Sequence, residues 1–151
     1  MDFDEKLLLW IEDFLTDRQM RVSVNNAYSD WAKVTSGVPQ GSVLGPLIFL
    51  LYAYDIPASV SFKIKLFADD TKIWNAIKTQ SDSQSLQAQL DLLSKWSDER
   101  SLKFNIDKCH VMYIDRTSKA KYYLEEEYIR WEVAESEMER DLGIWVSNDL
   151  K

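Results

Sequence analysis

The stretch FKIKLFADDTKIW, residues 62–74, carries the clearest structural signal in this chain of 151 residues. Apolar residues alternate with lysines from 62 to 66, and an extended pattern resumes at Lys72-Ile73-Trp74 after an Asp-Asp pair. Alternation with a period of two is typical of a half-buried β-strand, and aspartate is a common turn residue. The stretch therefore predicts a β-hairpin with its turn at Asp69-Asp70.

Two adjacent carboxylates at a hairpin tip have two interpretations. Asp69 and Asp70 are ordinary turn residues if they do no more than solvate the tip. Alternatively, their oxygens form a site for Mg²⁺, and a pair of such ions supports nucleotidyl transfer by activating a hydroxyl and stabilising the leaving group. Phe67, just before them, is suited either to core packing or to lying against a nucleotide.

The second unusual stretch is SGVPQGSVLGP, residues 36–46, in which Gly37, Gly41 and Gly45 recur every four residues. One interpretation is an entry loop for the apolar helix that follows. The other is a loop whose glycines let a nucleotide or template strand approach the backbone, with the Gln40 amide facing base or sugar edges. The glycine spacing is not that of a dinucleotide-binding fingerprint.

The rest of the chain alternates between helical and extended patterns. Helices are predicted over 2–18, 46–54 and 81–101, with the first capped near Asp2 and the third by Ser81 and Gln84, and Asp55-Ile56-Pro57 is expected to end the second. A hairpin is predicted around Asn25-Asn26, and further strands over 106–114, 121–123, 129–133 and 142–146. This order predicts an α+β domain with helices packed against an antiparallel sheet.

Composition excludes several classes of protein. The net charge is −7, of which −6 lies between Glu125 and Asp141, where eight acids face two arginines. This argues against a free-standing nucleic-acid binder, and we interpret the acidic run as a solvated face. The longest apolar run, residues 47–53, is too short to span a bilayer, so no membrane partner is expected. A single cysteine, Cys109, excludes an intrachain disulfide and favours an intracellular location, nuclear or cytoplasmic.

Taken together and in this order, the motifs resemble those of non-LTR retrotransposon reverse transcriptases. GVPQGSVLGPLIF, residues 37–49, is similar to the family's loop-and-helix motif, and Phe67-Ala68-Asp69-Asp70 to its aromatic-x-Asp-Asp catalytic hairpin. The similarity extends along nearly the whole chain, through Trp10-Ile11, Phe14-Leu15, Arg18-Gln19 and Val22 upstream and Leu102–Asn105, Lys108-Cys109, Asp141–Ile144 and Leu150-Lys151 downstream.

The resemblance implies a palm-like antiparallel sheet with packed helices, and a partial reverse transcriptase domain over residues 1–151. Asp69 and Asp70 would bind two catalytic Mg²⁺ ions, and Phe67 would support the primer end. The pocket for the incoming nucleotide and template base would be lined by Gly37, Pro39, Gln40 and Gly41. Lys108 would approach the nucleotide phosphates or protonate pyrophosphate; a solvated strand end is an equally open interpretation.

The chain also departs from the family. The family's site uses three carboxylates, and the first would come from a strand before Met1; the fingers and thumb are likewise expected to lie outside the chain. We therefore expect the isolated chain not to extend a primer. Glu125-Glu126-Glu127 occupies a turn that in the family carries glycine or asparagine, which we interpret as relaxed constraint in a decaying element.

The resulting expectation is a fragment of an RNA-directed DNA polymerase from a mobile element. Its reaction would be metal-dependent nucleotidyl transfer from deoxynucleotides onto a DNA primer 3′-end, with RNA as template. The alternative is an inactive relic or a co-opted interaction module, in which apolar surface left exposed by truncation favours self-association.

Overall fold

The computed structural model describes residues 3–114 and 119–150. The chain divides into two compact units, Met1–Tyr54 and Asp55–Lys151. Within the described residues, no helix is both long and apolar enough to cross a membrane.

The first unit begins with helix α1, Glu5–Leu15, which is shorter than the predicted 2–18. Its start is fixed by Asp4, whose carboxylate accepts a hydrogen bond from the backbone N–H of Lys6 at 2.8 Å. Its end is fixed by Thr16, which is extended, and by Asp17, whose φ is +48°. No residue of α1 is buried, so the helix contributes little to a core.

Two short antiparallel pairs follow α1, and they confirm the predicted hairpin. Strand β1, Gln19–Met20, pairs with β4, Ala32–Lys33, and β2, Ser23–Val24, pairs with β3, Ala27–Tyr28. The turn between β2 and β3 is Asn25-Asn26, with φ of +49° and +63°. Positive φ at both central residues defines a type I′ turn, in which asparagine is favoured.

Helix α2, Leu44–Ala53, closes the first unit and starts two residues before the prediction. The prediction placed Pro46 at the helix start, but proline is tolerated anywhere in the first turn, where no intrahelical N–H bond is lost. The predicted stop is confirmed, because a separate short helix, α3 at Ile56–Ser59, begins beyond Tyr54 with Pro57 in its first turn.

The second unit is built around helix α4, Gln80–Arg100. Its start differs from the prediction, because the capping box is formed by Thr79 and Asp82 and not by Ser81 and Gln84. Its buried face carries Leu93 and Trp96, which are 3% and 6% exposed. The remaining buried apolar residues of this unit are Ile56, Val60, Tyr122, Leu124 and Val133.

The strands of the second unit are short and paired mostly with near neighbours. The antiparallel pairs are β5, Lys63–Phe67, with β6, Asp70–Trp74; β8, Tyr123–Glu126, with β9, Ile129–Glu132; and β11, Met138–Asp141, with β12, Ile144–Ser147. Strand β7, His110–Val111, pairs in parallel with β10, Ala134–Glu135. The α+β composition is confirmed, but the described strands form six separate pairs, so a palm-like sheet stays a prediction.

The predicted strand over 106–114 is wrong for its first half. Residues Ile106–Lys108 form a 3₁₀ turn, held by hydrogen bonds from Lys108 N to Asn105 O and from Cys109 N to Ile106 O, both 3.0 Å. Of the predicted strand, only β7 is paired as a strand. The local alternation could not predict this, because the partner strand β10 lies more than twenty residues along the chain.

Polar side chains of α4 complete the hydrogen bonding of β8. Gln87 accepts from the backbone N–H of Tyr123 and donates to its carbonyl, both at 2.9 Å, and Ser94 Oγ accepts from Glu125 N at 3.0 Å. Buried backbone groups left unpaired are destabilising, so these side chains satisfy an edge that the helix covers. At the other end of α4, Trp96 Nε1 donates to Asp55 Oδ1 at 3.0 Å and Arg100 forms an ion pair with Asp55, which anchors the start of α3.

Candidate active site

The hairpin β5–β6 forms as the alternation predicted, but its turn is shifted by one residue. The register pairs Phe67 with Asp70, which leaves Ala68 and Asp69 as the two turn residues. Ala68 has φ +52°, a conformation for which glycine is preferred at the first position of a type II′ turn. Asp70 is therefore the first residue of β6 and not a turn residue.

Because of this shift, Asp69 is a turn residue and Asp70 is a strand residue, although the two are adjacent in sequence. Both Asp69 and Asp70 are exposed, Asp69 on the turn and Asp70 at the strand start. Phe67, which pairs with Asp70, is 63% exposed and so does not pack in a core. The structure thus brings together three of the predicted site residues at one solvent-facing tip.

The two carboxylates fit the ligand chemistry of Mg²⁺ only in part. Hard oxygen ligands are what Mg²⁺ prefers, and it is commonly held by one or two carboxylates together with water and substrate phosphates. Among residues 3–114 and 119–150, no group of three His, Cys, Asp or Glu side chains is placed to hold a metal ion. Asp69 and Asp70 therefore supply two ligands, and a third carboxylate is not contributed by the described residues.

The glycine-rich loop belongs to the first unit and is built as a tight turn. Gly37 and Gly41 have φ of +75° and +78°, which explains glycine at these two positions. A Cβ at Gly45 would lie 2.6 Å from the carbonyl oxygen of Pro39, so this glycine permits a close backbone approach. The Ser42 hydroxyl joins the two sides, donating to Pro39 O at 2.8 Å and accepting from Gly45 N at 2.9 Å.

This arrangement leaves Gln40 exposed at the apex of the loop, with Pro39 half-buried beneath it. An exposed amide in this loop is available to hydrogen-bond a base or sugar edge. The nucleotide-binding role of Gly37, Pro39, Gln40 and Gly41 stays a prediction.

Arg18 contacts this loop, and the sequence motifs gave it no role in the site. Its Nε donates to Leu15 O at 2.8 Å, and its terminal nitrogen donates to the carbonyls of Ser36 and Gly37. The guanidinium therefore ties the end of α1 to the start of the loop. An arginine at the end of the predicted helix is the only sequence signal for this contact, since a basic residue near a helix C-terminus often binds the last carbonyls.

Lys108 lies apart from the hairpin tip along the chain, as the last residue of the 3₁₀ turn. Its side chain is exposed, and it makes no ion pair within the described part of the chain. Both of its predicted roles stay open.

The sequence of this chain matches a known protein family. Residues 1–139 match the family described as reverse transcriptase (RNA-dependent DNA polymerase). The chain belongs to the reverse transcriptase family.

The relatives of this reverse transcriptase chain come from mobile elements. The RNA-directed DNA polymerase from mobile element jockey of Drosophila melanogaster is 32% identical over 125 residues, which cover 76% of this chain and 14% of the relative. The probable RNA-directed DNA polymerases from transposons X-element and BS of the same species are each 31% identical, covering 77% and 65% of this chain and 14% and 12% of the relatives. These matches confirm the predicted resemblance to non-LTR retrotransposon reverse transcriptases.

The chain spans 14% or less of the length of these relatives. No solved structure matches it.

The acidic triplet that departs from the family pattern has a structural partner in this reverse transcriptase chain. Lys103 pairs with Glu126 at 3.3 Å and with Glu127. The hydrogen bond from Lys103 lowers the pKa of Glu127, and the bonds to Glu127 and Glu126 raise the pKa of Lys103. The triplet therefore joins the Leu102–Asn105 segment to the β8–β9 hairpin. The interpretation of the triplet as relaxed constraint stays a prediction.

Proposed function

We propose that this chain is the later palm portion of an RNA-directed DNA polymerase of a mobile element, with a palm-like fold assembled around the β5–β6 hairpin. The observation that carries the proposal is the exposed tip at which Phe67, Asp69 and Asp70 lie together, in a chain that belongs to the reverse transcriptase family. The substrates would be deoxynucleotides, a DNA primer and an RNA template.

In this proposal each residue of the tip has a separate task. Asp69 and Asp70 would hold the divalent ions through their carboxylate oxygens. When bound, Mg²⁺ would favour the deprotonated primer hydroxyl and neutralise charge on the leaving pyrophosphate. Phe67, opposite Asp70 on the same hairpin, would place its ring against the last base of the primer.

The glycine-rich loop would supply the nucleotide contacts. Gln40, at the apex, would hydrogen-bond the template base or nucleotide sugar, and the glycines at 37 and 41 would keep Cβ atoms out of the path of the strand. Lys108 would contact the nucleotide phosphates. We also propose an intracellular site of action for the whole protein.

The metal site is tested by Mn²⁺ titration followed by electron paramagnetic resonance, which reports the free ion. We expect the chain to bind Mn²⁺ and the double variant Asp69→Asn/Asp70→Asn to lose that binding. The matched control is Glu12→Gln/Asp13→Asn, which neutralises an adjacent exposed pair on α1. Equal loss in both variants would show diffuse charge attraction and no site at the hairpin.

Primer extension gives a second readout. Because the described residues supply only two carboxylates, we expect no extension of a DNA primer on an RNA template by the isolated chain with Mg²⁺ or Mn²⁺. Strong extension that disappears in Asp69→Asn would overturn the requirement for a third ligand.

A second candidate function is a non-catalytic, self-associating protein. It is favoured by the apolar exposure of the first unit, where Leu8, Leu9, Leu47 and Leu50 are each at least 50% exposed and Val43 is 93% exposed. Exposed apolar patches commonly mark association surfaces. Concentration-dependent oligomers in sedimentation velocity would support this candidate, and a monomer at all concentrations would exclude it.

A further inference from the structure

Strand β6 places a lysine close to one of the two aspartates of the hairpin tip. Asp70 and Lys72 are exposed residues of β6 that are two positions apart. Side chains of a strand alternate between its faces, so these two stand on the same face, with their Cα atoms about 7 Å apart. The flexible stem of a lysine spans this distance. The ammonium group of Lys72 is therefore able to reach the Asp70 carboxylate.

The observed partner of Lys72 is a different carboxylate. Its ammonium group forms an ion pair with Asp141, the last residue of β11, which lies 69 positions further along the chain. Within residues 3–114 and 119–150, Lys72 forms no ion pair with Asp69 or Asp70. Lys72 thus has an acid within reach on its own strand and pairs with one that is distant in sequence.

The exposure of this ion pair indicates that its contribution to stability is small. The side chains of Lys72 and Asp141 are 54% and 43% exposed, and exposed ion pairs contribute little stability. The anchor of α3 is different, because Arg100 pairs there with an Asp55 side chain that is 22% exposed and that also accepts a hydrogen bond from Trp96. The main consequence of the Lys72–Asp141 pair is therefore the place at which it holds the lysine charge.

A lysine paired with Asp70 would oppose a divalent cation at the tip in two ways. Its ammonium group would occupy carboxylate oxygens that serve as ligands, and its charge would repel the ion at short range. Among the described residues, the candidate site has two carboxylates, Asp69 and Asp70, and the loss of one removes half of them. The position of the Lys72 ammonium group therefore matters for cation binding.

We propose that Asp141 is a positioning residue that holds the Lys72 ammonium group away from Asp70 and so keeps both carboxylates of the tip free for a divalent cation. The inference rests on the proposed function, because it takes Asp69 and Asp70 as the cation site. Asp141 is not itself a ligand, since no group of three acids in the described part of the chain is placed to hold a metal ion. It acts only through Lys72.

Lys65 is the neighbouring lysine that a general charge effect would involve equally. It lies directly opposite Lys72 and diagonally across the hairpin from Asp70, on the same face. It forms no ion pair with any described residue, so Asp141 does not hold it in place. Lys65 therefore provides a matched control for Lys72.

The proposal is tested by Mn²⁺ titration of the full 151-residue chain, with the free ion followed by electron paramagnetic resonance. We expect Asp141→Asn to weaken Mn²⁺ binding about fivefold, the effect of about 1 kcal/mol for a newly formed exposed ion pair between Lys72 and Asp70. Lys72→Gln should bind Mn²⁺ as tightly as the unmodified chain, or more tightly. If the ion pair were only a tie between two hairpins, both variants would break it and weaken binding equally, which would overturn the proposal.

A double-mutant cycle separates the release of Lys72 from the simple loss of a negative charge. In the Lys72→Gln background, Asp141→Asn should leave the Mn²⁺ affinity almost unchanged, because no ammonium group remains to be released. In the Lys65→Gln background, the loss should persist at its full size. An equal loss in the unmodified chain and in both backgrounds would show that Asp141 acts through its own charge, against the proposal.

A readout without metal distinguishes this inference from the proposed function. The carboxyl ¹³C chemical shift of Asp70, measured by nuclear magnetic resonance in the metal-free chain, reports an ion pair at that carboxylate. We expect Asp141→Asn to move this signal, and the same substitution in Lys72→Gln to leave it in place. If this result is obtained and the chain does not bind Mn²⁺, the role of Asp141 stands and the proposed metal site does not. If Mn²⁺ binds and the Asp70 signal does not move, the metal site stands and the role of Asp141 is overturned.

Discussion

At the scale of single residues, the hairpin turns of this chain place some residues in a backbone conformation that their side chains disfavour. Type I′ turns occur at Asn25-Asn26, Glu127-Tyr128 and Leu142-Gly143, each with positive φ at both central residues. Asparagine and glycine adopt this conformation readily, but a residue with a larger side chain is strained there. Tyr128, with φ +66° and 97% exposure, has strain without a compensating contact for its ring.

We therefore expect Tyr128→Gly to raise the free energy of unfolding by about 1 kcal/mol, because glycine removes the left-handed strain. Urea unfolding followed by circular dichroism measures the change. Tyr128→Ala is the control, since it removes the exposed ring and keeps the Cβ that causes the strain. An equal gain in both variants would attribute the effect to the ring.

Cys109 is the residue whose protonation the structure alters by burial. Desolvation of the half-buried thiol raises the pKa of Cys109, so the reactive thiolate is less populated near neutral pH than in an exposed cysteine. We expect the pH profile of alkylation by iodoacetamide to have a higher midpoint in the folded chain than in urea. A midpoint at or below the unfolded value would point to an activated nucleophile and contradict the effect of burial on this thiol.

At the scale of elements, the start of α4 shows how one polar residue decides a boundary. Thr79 Oγ1 accepts from Asp82 N at 3.2 Å, and the Asp82 carboxylate accepts from Thr79 N at 2.8 Å. These bonds, with one from Lys78 N that is the largest cause, lower the pKa of Asp82. Stability from this carboxylate is therefore present above its unfolded pKa of 3.8 and lost as pH falls through the lower folded value.

The cap predicts a clear contrast between two neighbouring hydroxyls. We expect Thr79→Ala to lower the free energy of unfolding by about 1 kcal/mol, the usual contribution of an N-cap hydroxyl. Ser81→Ala should have little effect, because Ser81 is exposed within the first turn and alanine is a better helix former. Thermal unfolding of both variants checks the boundary, and a larger loss in Ser81→Ala would restore the cap that the sequence predicted.

The sequence predicted features that depend on neighbouring residues and missed those that depend on distant ones. The β5–β6 hairpin and the long helix α4 follow from local periodicity, and periodicity is fully visible in the chain. The turn register was missed by one residue because Ala68 adopts φ +52°, which is uncommon for alanine. The contacts of Arg18, Asp55 and Gln87 were not predicted, because each joins segments that are distant in sequence.

In the candidate site, too, some neighbours could be predicted from the sequence and others depend on the observed strand register. Asp69, Asp70 and Phe67 share one hairpin, so local pairing alone brings them together, as the motif predicted. Lys65 and Lys72 face each other only because of the observed register, which a one-residue shift would have changed. The pairing of these two lysines therefore could not be predicted from the sequence.

At the scale of the whole molecule, several acids of the later strands form ion pairs with lysines. Glu132 pairs with Lys121 at 2.8 Å, and Glu135 pairs with Lys119. Exposed ion pairs of this kind contribute little stability each. Their effect is on the surface field, since they neutralise lysines around the β8–β12 strands.

Burial is distributed unequally between the two units, and this has a consequence for dynamics. Of the buried apolar residues, Ala53 belongs to the first unit, and Ile56, Val60, Leu93, Trp96, Tyr122, Leu124 and Val133 belong to the second. Local opening costs little free energy where few apolar contacts are lost. The amides of α1, which has no buried residue, should therefore open far more readily than those around Leu93 and Trp96 in α4.

Hydrogen–deuterium exchange resolved by peptide mass spectrometry measures this difference directly. We expect peptides from α1 to exchange much faster than peptides from 91–97, although both segments are helical and hydrogen-bonded. The comparison is internal to one sample, so pH and temperature do not affect the ratio. If self-association covers α1, its protection should rise with protein concentration while that of α4 stays constant. Equal protection of the two helices at low concentration would contradict the unequal burial and require a core in the first unit.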